Sequence, residues 1–532
     1  MKKIIALLLA LVLAVSCFVA CDTTKPEDTK DTTPKTTEGN KDTTPDTTEP
    51  AVEDLFDGKH DIVEITYHVR HNPEEDTQQV VDYLNKTYLE PRYNLRLKVI
   101  MTANAEYNDR MTLAMTGNED WDLCYTASFV NKYWDRVSMG AFYDLNELMD
   151  TKEWAELTAA MPEGLIDWAM VDGHYYGIPN LQIMSSPAAI YLQKSLVDKY
   201  NLNLKDDDYI LNINENEALM NWLKQVRDNE EDYIPLYFAS QITGAIGYKS
   251  GDKRVGTYSY ASYYRDTTDF TTFYREDNAE LKEANIQKWL KWLEFKEEGF
   301  FADDFLTNKD QSANLKANRY AVYTTTGKPG GGPDMSARQG VEYIQVYLDN
   351  YEYYQGSPMT TCTAINYNSK NPQAALKFIQ VMWTDTDVYN TFLAGIEGEH
   401  YTKISDNRIE PIADSGYNMV GWGWGCGNQF NQWLIPGQAD DVWEQTIAMN
   451  ENGMIDTTNG FTFDQTPVQT EVSNLSTVAS EWENWQWYCK DEAELRAKYD
   501  EYIQAQKDAG VLTVVEEVQN QLQAWAKANG KL

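Results

Sequence analysis

From Asp61 onward, short apolar runs alternate with stretches of helical period. Ile62 to Val69 has the β-branched and aromatic content of a strand. Glu75 to Leu89 follows, with Val80, Val81, Leu84 and Tyr88 on one helical face. Leu95, Leu97 and Val99 alternate in a second strand, Leu95 to Met101. Ala105 to Met115 is a second helix with Gly117 placed to close it, and Trp121 to Tyr125 is a short third strand. Such a β-α-β-α-β order predicts a parallel sheet covered by helices. Ligands of such sheets lie beyond the carboxyl ends of the strands. The residues there are Arg70-His71-Asn72 after the first strand and Thr126-Ala127-Ser128 after the third.

Further along, helices are expected near Leu219–Arg227, Ile286–Glu297 and Pro372–Trp383, and strands at Tyr320–Tyr323 and Tyr343–Tyr347. Gly330-Gly331-Gly332-Pro333 predicts a break between those strands. From Pro467 the chain is mostly helical, with Leu512, Val515, Val518, Leu522 and Trp525 on one face. There is no internal repeat.

The first 50 or so residues have a different character. Met1-Lys2-Lys3 precedes an apolar run from Ile4 to Ala20, the pattern of an export signal. Asp22 to Pro50 is almost wholly Thr, Asp, Glu, Lys and Pro, and holds too little apolar surface to offset the entropy of ordering it. Phe18-Val19-Ala20-Cys21 resembles a bacterial lipoprotein signal, which implies that Cys21 carries the lipid. Extended as polyproline, the linker would reach around 90 Å at about 3.1 Å per residue, enough to cross a thick envelope layer.

Charge narrows the partners. With 45 basic and 83 acidic side chains the net charge is −38, which repels phosphate backbones and anionic headgroups. Nucleic acid is therefore excluded, and a membrane is expected only through the N-terminal lipid. Cys124, Cys362, Cys426 and Cys489 are scattered, with no histidine at ligand spacing, so they are expected to be small buried hydrophobes. His68 and His71 flank the first strand end without a third ligand, and Asp206-Asp207-Asp208 lacks the alternating oxygens of a calcium loop. No metal and no cofactor are expected. The chain contains no G-x-S-x-G, H-E-x-x-H or phosphate-loop lysine motif, so no catalysis is assigned.

Aromatics carry the positive signal: 35 Tyr and 16 Trp against 16 Phe. Tyr and Trp join an apolar body to a polar tip, which suits binding surfaces. In Gly421-Trp422-Gly423-Trp424-Gly425 the glycines open both rings to an approaching surface, and Gly427-Asn428-Gln429 follows. Flat rings beside amides suit sugars, whose C–H faces stack while their hydroxyls bond to Asn and Gln. The competing role for these rings is to wedge two domains together. Trp482 to Tyr488 has helical spacing and is assigned to core packing. Tyr258, Tyr260, Tyr263 and Tyr264 fall in a polar, loop-like stretch open to either role.

With these residues in view, the body resembles the extracellular solute-binding lipoproteins of bacterial ABC importers (family 1-like), and among them the subgroup with a C-terminal domain of unknown function. The markers are Tyr107-Asn108-Asp109-Arg110-Met111, Trp121 to Ser128, Gly140 to Leu145, Gly177-Ile178-Pro179-Asn180, Tyr191 to Tyr200, Asn366 to Phe378, Gly427 to Phe430 and Gly460 to Val468. Their order along one chain carries the likeness.

The resemblance implies an α/β, type II periplasmic-binding-protein-like fold: two lobes, a hinge and a ligand cleft between them. It implies a signal at 1–21, a linker at 22–55, a first lobe from 56–178 and 358–405, and a second from 179–357 and 406–532. The implied ligand contacts are Asn72, Thr126 and Ser128 in the first lobe. Tyr176, Asn180, Gln182, Thr325, Trp422, Trp424 and Asn428 are implied at the hinge and second lobe. The function implied is capture of an oligosaccharide at the outer face of the membrane by a lipid-anchored monomer, for ABC permease subunits. A peptide or other small polar solute in the same fold is the first alternative. A surface glycan hydrolase or adhesin is the alternative of another class.

Overall fold

The computed structural model describes residues 54–171, 173–185, 188–203, 217–237, 255–308, 312–347 and 358–532. The leader, Cys21, nearly all of the linker and the Asp206–Asp208 run lie outside them. Asp54–Leu532 forms one compact unit.

The opening alternation is realised as β1 (Val63–Arg70), α1 (Thr77–Leu84), β2 (Leu95–Thr102), α2 (Tyr107–Thr116) and β3 (Leu123–Ala127). The expected helix to Leu89 is one α-helix followed by a π-helical turn over Asn85–Leu89, and Val80, Val81 and Leu84 are buried as the period requires. Next come β4 (Ile178–Pro179), β5 (Ala188–Gln193), α3 (Glu217–Asn229), β6 (Ile234–Leu236), β7 (Val255–Tyr258), β8 (Ala261–Tyr264) and β9 (Thr272–Tyr274). α4 (Ala279–Glu297), β10 (Tyr320–Thr326), α5 (Gly331–Gln339) and β11 (Tyr343–Tyr347) complete the middle of the chain. The return is β12 (Thr361–Ile365), α6 (Pro372–Thr384) and α7 (Thr386–Ala394), then α8 (Val442–Glu451), α9 (Gln469–Glu481), α10 (Glu492–Asp508) and α11 (Val511–Ala528).

Two mixed sheets dominate. The first has the order β2-β1-β3-β12-β4. β1 runs parallel to β2 and β3, as the β-α-β order predicts, but β12 enters antiparallel beside β3 with Thr361 opposite Ala127. The start of β12 therefore shares an edge of the sheet with the ends of β1 and β3. The second sheet has the order β11-β5-β10-β6, and a third, antiparallel one has β9-β8-β7. The described body is thus α/β.

Each large sheet has its own core. Ile65, Val69, Leu123 and Phe378 belong to the first, and Leu192, Trp292, Val322 and Val346 to the second. Tyr417, Met419, Trp422 and Cys426 pack into the first core, although the chain beyond 405 was expected in the other lobe. A third core joins Ala261, Phe270 and Tyr274 to the terminal helices.

Three local expectations are corrected. Gly330-Gly331-Gly332-Pro333 does not break the chain into a turn; it starts α5. Gly330 caps the helix in the left-handed region (φ 69), and Pro333 lies in the first turn, where no intrahelical N–H is lost. Tyr258, Tyr263 and Tyr264 are strand residues, held edge to edge by the pairing of β7, β8 and β9, and Tyr260 sits in the tight turn between β7 and β8. On α11 the buried stripe is Val511, Val514, Val518, Leu522 and Ala526, and Leu512 is 49% exposed. That stripe subtends a tighter arc than the one chosen from sequence.

The tryptophans of Trp482 to Tyr488 do pack in cores, but through a turn and a 3₁₀ segment, Trp485–Tyr488, rather than one α-helix, and Tyr488 is left exposed. α9 stops at Glu481, and Asn484 takes a left-handed conformation (φ 63). Trp487 then enters the second core and Trp485 the third.

Candidate functional site

Four aromatic rings gather where β1 and β3 end. Trp422 stands 5.9 Å from Tyr125, 6.2 Å from Trp424 and 6.4 Å from His71, and Trp424 is 6.1 Å from Tyr125. Beneath them Tyr107 brings its hydroxyl within 3.0 Å of the His68 carbonyl and 2.9 Å of the Tyr125 carbonyl, which ties the two strand ends together. The exposed ring of Phe129, two residues past β3, extends the edge, and the Arg70 guanidinium lies 5.5 Å over it.

The tryptophans lie in a 3₁₀ segment, Val420–Gly425, held by buried polar side chains. Tyr389 donates its hydroxyl to the Gly423 carbonyl (2.8 Å), and Gln432 donates its amide to the Val420 carbonyl (3.0 Å). Asn180 donates its amide to the Gly425 carbonyl (3.0 Å) and accepts from the Thr363 hydroxyl (3.1 Å). Thr361 donates to the Trp424 carbonyl (3.2 Å) and accepts from the Gln182 amide (3.1 Å).

The glycines serve this packing, not an open approach to the rings. A Cβ on Gly425 would lie 2.4 Å from the Trp422 ring, and one on Gly423 2.1 Å from Gln432 Oε1. Gly427 has φ +53, and a Cβ there would lie 2.4 Å from the Met382 carbonyl oxygen.

The residues expected at the ligand therefore divide. Trp422 is only 4% exposed and is part of the first core, whereas Trp424 is half-buried and donates its indole N–H to the Gly421 carbonyl (3.0 Å). Thr126 is fully buried and donates its hydroxyl to the Asn131 carbonyl. Asn180 and Gln182 are buried and occupied with the tryptophan segment, and Asn428 caps the following turn by accepting the Phe430 N–H (3.0 Å). Ser128 is exposed and Asn72 half-buried beside the rings, with the Asn72 carbonyl 2.8 Å from His71 Nδ1. Tyr176 is half-buried, its ring 6.3 Å from that of His174, and its N–H donates to the Tyr133 hydroxyl. Thr325 lies in the second sheet, half-buried, opposite Ala189 of β5.

Several contributors were not selected from sequence. Asn450, on α8, accepts the N–H groups of Met184 (2.7 Å) and Ser185 (3.1 Å) and donates to the Gln182 carbonyl (2.9 Å), fixing the segment that leaves the first sheet. Only a buried amide on an otherwise helical segment signals it. Phe129 carries no local motif, and Arg70, which the strand pattern does place at the ligand end of β1, is a lone cation not named among the ligand contacts.

Burial sets the electrostatics. It pushes the Tyr125 phenol well up, against the pull of Arg70, so the hydroxyl stays protonated. Burial also lowers the His71 pKa, opposed by the Asn72 carbonyl, and raises that of Glu74, opposed by Lys316. Lys316 belongs to the short helix Ser312–Lys316 that leads into β10, so a charge from the second sheet's side reaches this edge. Among the described residues no group of three or more His, Cys, Asp or Glu could hold a metal. Cys124, Cys362, Cys426 and Cys489 are free and buried, and burial pushes every thiol up.

A crystal structure of an N-glycan transport solute-binding protein (NgtS) from Streptococcus pneumoniae, in complex with Man1GlcNAc, superposes with a TM-score of 0.70. The match covers 87% of this chain and 99% of that one at 18% identity. This is the fold of the solute-binding proteins of ABC transporters. The alginate-binding protein AlgQ2 shares it at TM-score 0.57, with 14% identity over 88% of this chain and 100% of that one. In sequence, the chain is 21% identical over 400 residues to a carbohydrate ABC transporter substrate-binding protein of Streptococcus pneumoniae serotype 4 (strain ATCC BAA-334 / TIGR4), covering 74% of this chain and 77% of the relative. Residues 457–527 match a family described as a domain of unknown function (DUF3502). That stretch holds α9, α10 and most of α11.

Proposed function

We propose that this protein captures an oligosaccharide at the outer face of the cell membrane and delivers it to the permease subunits of an ABC importer, without catalysis. The observation that carries the reading is the aromatic edge of half-buried Trp424 and exposed Phe129, backed by buried Tyr125, at the carboxyl ends of parallel strands in a solute-binding-protein fold. Ser128 and Asn72 supply hydrogen-bonding groups beside it. Across a cleft between the two large sheets, the second lobe would contribute Thr325, so that closure adds contacts absent from the open form. The names of the relatives, an N-glycan transport protein, an alginate-binding protein and a carbohydrate transporter subunit, favour a glycan over a peptide.

The anchor belongs to the same proposal: a lipid on Cys21, a linker of 22–55 and a monomeric body. Cys21→Ser would release the protein from the membrane fraction and abolish fatty-acid labelling. A membrane-bound, labelled variant would remove Cys21 from that role. Among the described residues no helix is long and apolar enough to cross a membrane.

The ligand is tested by a thermal-shift screen against neutral and charged oligosaccharides, peptides and amino acids. A ligand at 100 times its Kd adds about 2.7 kcal/mol of stability. Shifts confined to one glycan family are expected, with every glycan recovered intact. Shifts with peptides alone would overturn the oligosaccharide, and newly released reducing ends would overturn the absence of catalysis.

A further inference from the structure

We propose that the glycan taken at this edge is acidic, and that Arg70 pairs with its carboxylate. The proposal rests on the oligosaccharide reading above and adds the chemical class of the sugar.

Other arginines of this strongly acidic chain have found partners. Arg92 bonds to Asp385 and Asp387, Arg227 to Asp228 and Glu298, Arg265 to Asp456, and Arg408 to Asp440. Arg70 is half-buried at the last position of β1, yet among the described residues its side chain has no hydrogen-bond partner and no ion pair. Its Nε is fully buried without a partner, and its guanidinium lies 5.5 Å over the Phe129 ring. Taking a guanidinium out of water with no counter-charge is unfavourable, and the site recovers that energy only when an anion arrives.

Two further polar groups point the same way. The Tyr125 hydroxyl and the Trp422 indole N–H are also buried and unpartnered, on rings 5.9 Å apart in the same cluster. Neither group, buried as it is, supplies the guanidinium with a counter-charge, so the edge presents a cationic donor with no acceptor. A carboxylate, which accepts through two oxygens and donates through none, matches it better than a hydroxyl does. The Phe129 ring, 5.5 Å from the guanidinium carbon, borders the planar fork that could pair with a carboxylate through two N–H groups. Lys316 supplies a second positive charge, reaching His71 and Glu74 from the other side.

Isothermal titration of the full chain with matched glycans tests this. The probes are hexuronate and sialylated oligosaccharides, each beside its counterpart with the carboxyl reduced to an alcohol, together with peptides bearing a free C-terminal carboxylate. One acidic glycan series should bind about 10- to 100-fold more tightly than its reduced counterpart. Arg70→Gln should erase that difference, and Arg70→Lys should keep part of it. Equal binding of acidic and reduced glycans would overturn the acidic proposal and leave the oligosaccharide reading standing. A wild-type preference undiminished in both Arg70 variants would overturn the assignment to Arg70. Binding of peptides with no glycan would overturn the reading beneath both.

Discussion

Replacing Asn180 by alanine tests whether its amide builds the platform or touches the ligand. The side chain is 2% exposed; it donates to the Gly425 carbonyl and accepts from the Thr363 hydroxyl. In N180A the Thr363 hydroxyl can turn toward the Tyr67 phenol, which lies beside it and is itself without a partner. The Gly425 carbonyl has no such substitute. An orphaned buried carbonyl costs about 1–3 kcal/mol, and the small void adds about 1 kcal/mol, so the loss should be about 2–4 kcal/mol. Unfolding entropy near 2.1 cal/mol/K per residue makes about 1 kcal/mol per degree for a unit of this length, so calorimetry should record a Tm lower by about 2–4 °C. Affinity should fall by a similar factor for every glycan that binds, because the loop carrying Trp424 shifts as a whole. N180D keeps the acceptor for Thr363 but sets a carboxylate against the Gly425 carbonyl, and should destabilise at least as much as alanine. A variant with unchanged Tm and lost affinity would refute the argument and aim the amide at the ligand.

Two other substitutions separate scaffold from contact in the same way. Trp422→Ala removes a core ring and should destabilise by about 3–5 kcal/mol, whereas Trp424→Ala should leave stability nearly unchanged and weaken glycan binding by about 2 kcal/mol, roughly 30-fold. Titration calorimetry beside urea unfolding reads both quantities, and undiminished binding by Trp424→Ala would take that ring out of the site. His68 gives a pH dependence: burial pushes its pKa down to about 4, so the folded state keeps the ring neutral. The unfolded chain takes up that proton near pH 6.5, so stability is fully present above that value and is lost as pH falls toward 4. The loss should reach about 2–3 kcal/mol by pH 4.5 in urea unfolding and be absent in His68→Phe. Parallel pH curves for the two proteins would exclude it.

What the sequence made legible follows from range. β1, α1, β2, α2 and β3 each bury a face set by their own period, so alternation alone places them and the strand ends where a ligand belongs. β12 cannot be read that way, because Thr361–Ile365 pairs with β3 across more than 200 intervening positions. The same separation hid the membership of Tyr417, Met419 and Trp422 in the first core. Sequence does show that Gly423, Gly425 and Gly427 lack side chains. It does not show whether a ligand or Gln432, Trp422 and Met382 fills the space.

The amides pose the same ambiguity in a form that bears on function. Asn180, Gln182 and Asn428 have the chemistry to hold a sugar hydroxyl, and that chemistry marked them as candidates. The same donors and acceptors satisfy backbone and hydroxyl groups of the surrounding scaffold, and in this fold those internal demands take them first. Residue type therefore found the scaffold of the site. On the proposed function, the groups that would meet a ligand are those the fold leaves with open surface or unmet charge: an exposed phenylalanine, a half-buried tryptophan, and an arginine with no carboxylate in a chain of net charge −38. Unmet capacity is a property of the folded arrangement, so it is legible only once each donor has been followed to its acceptor.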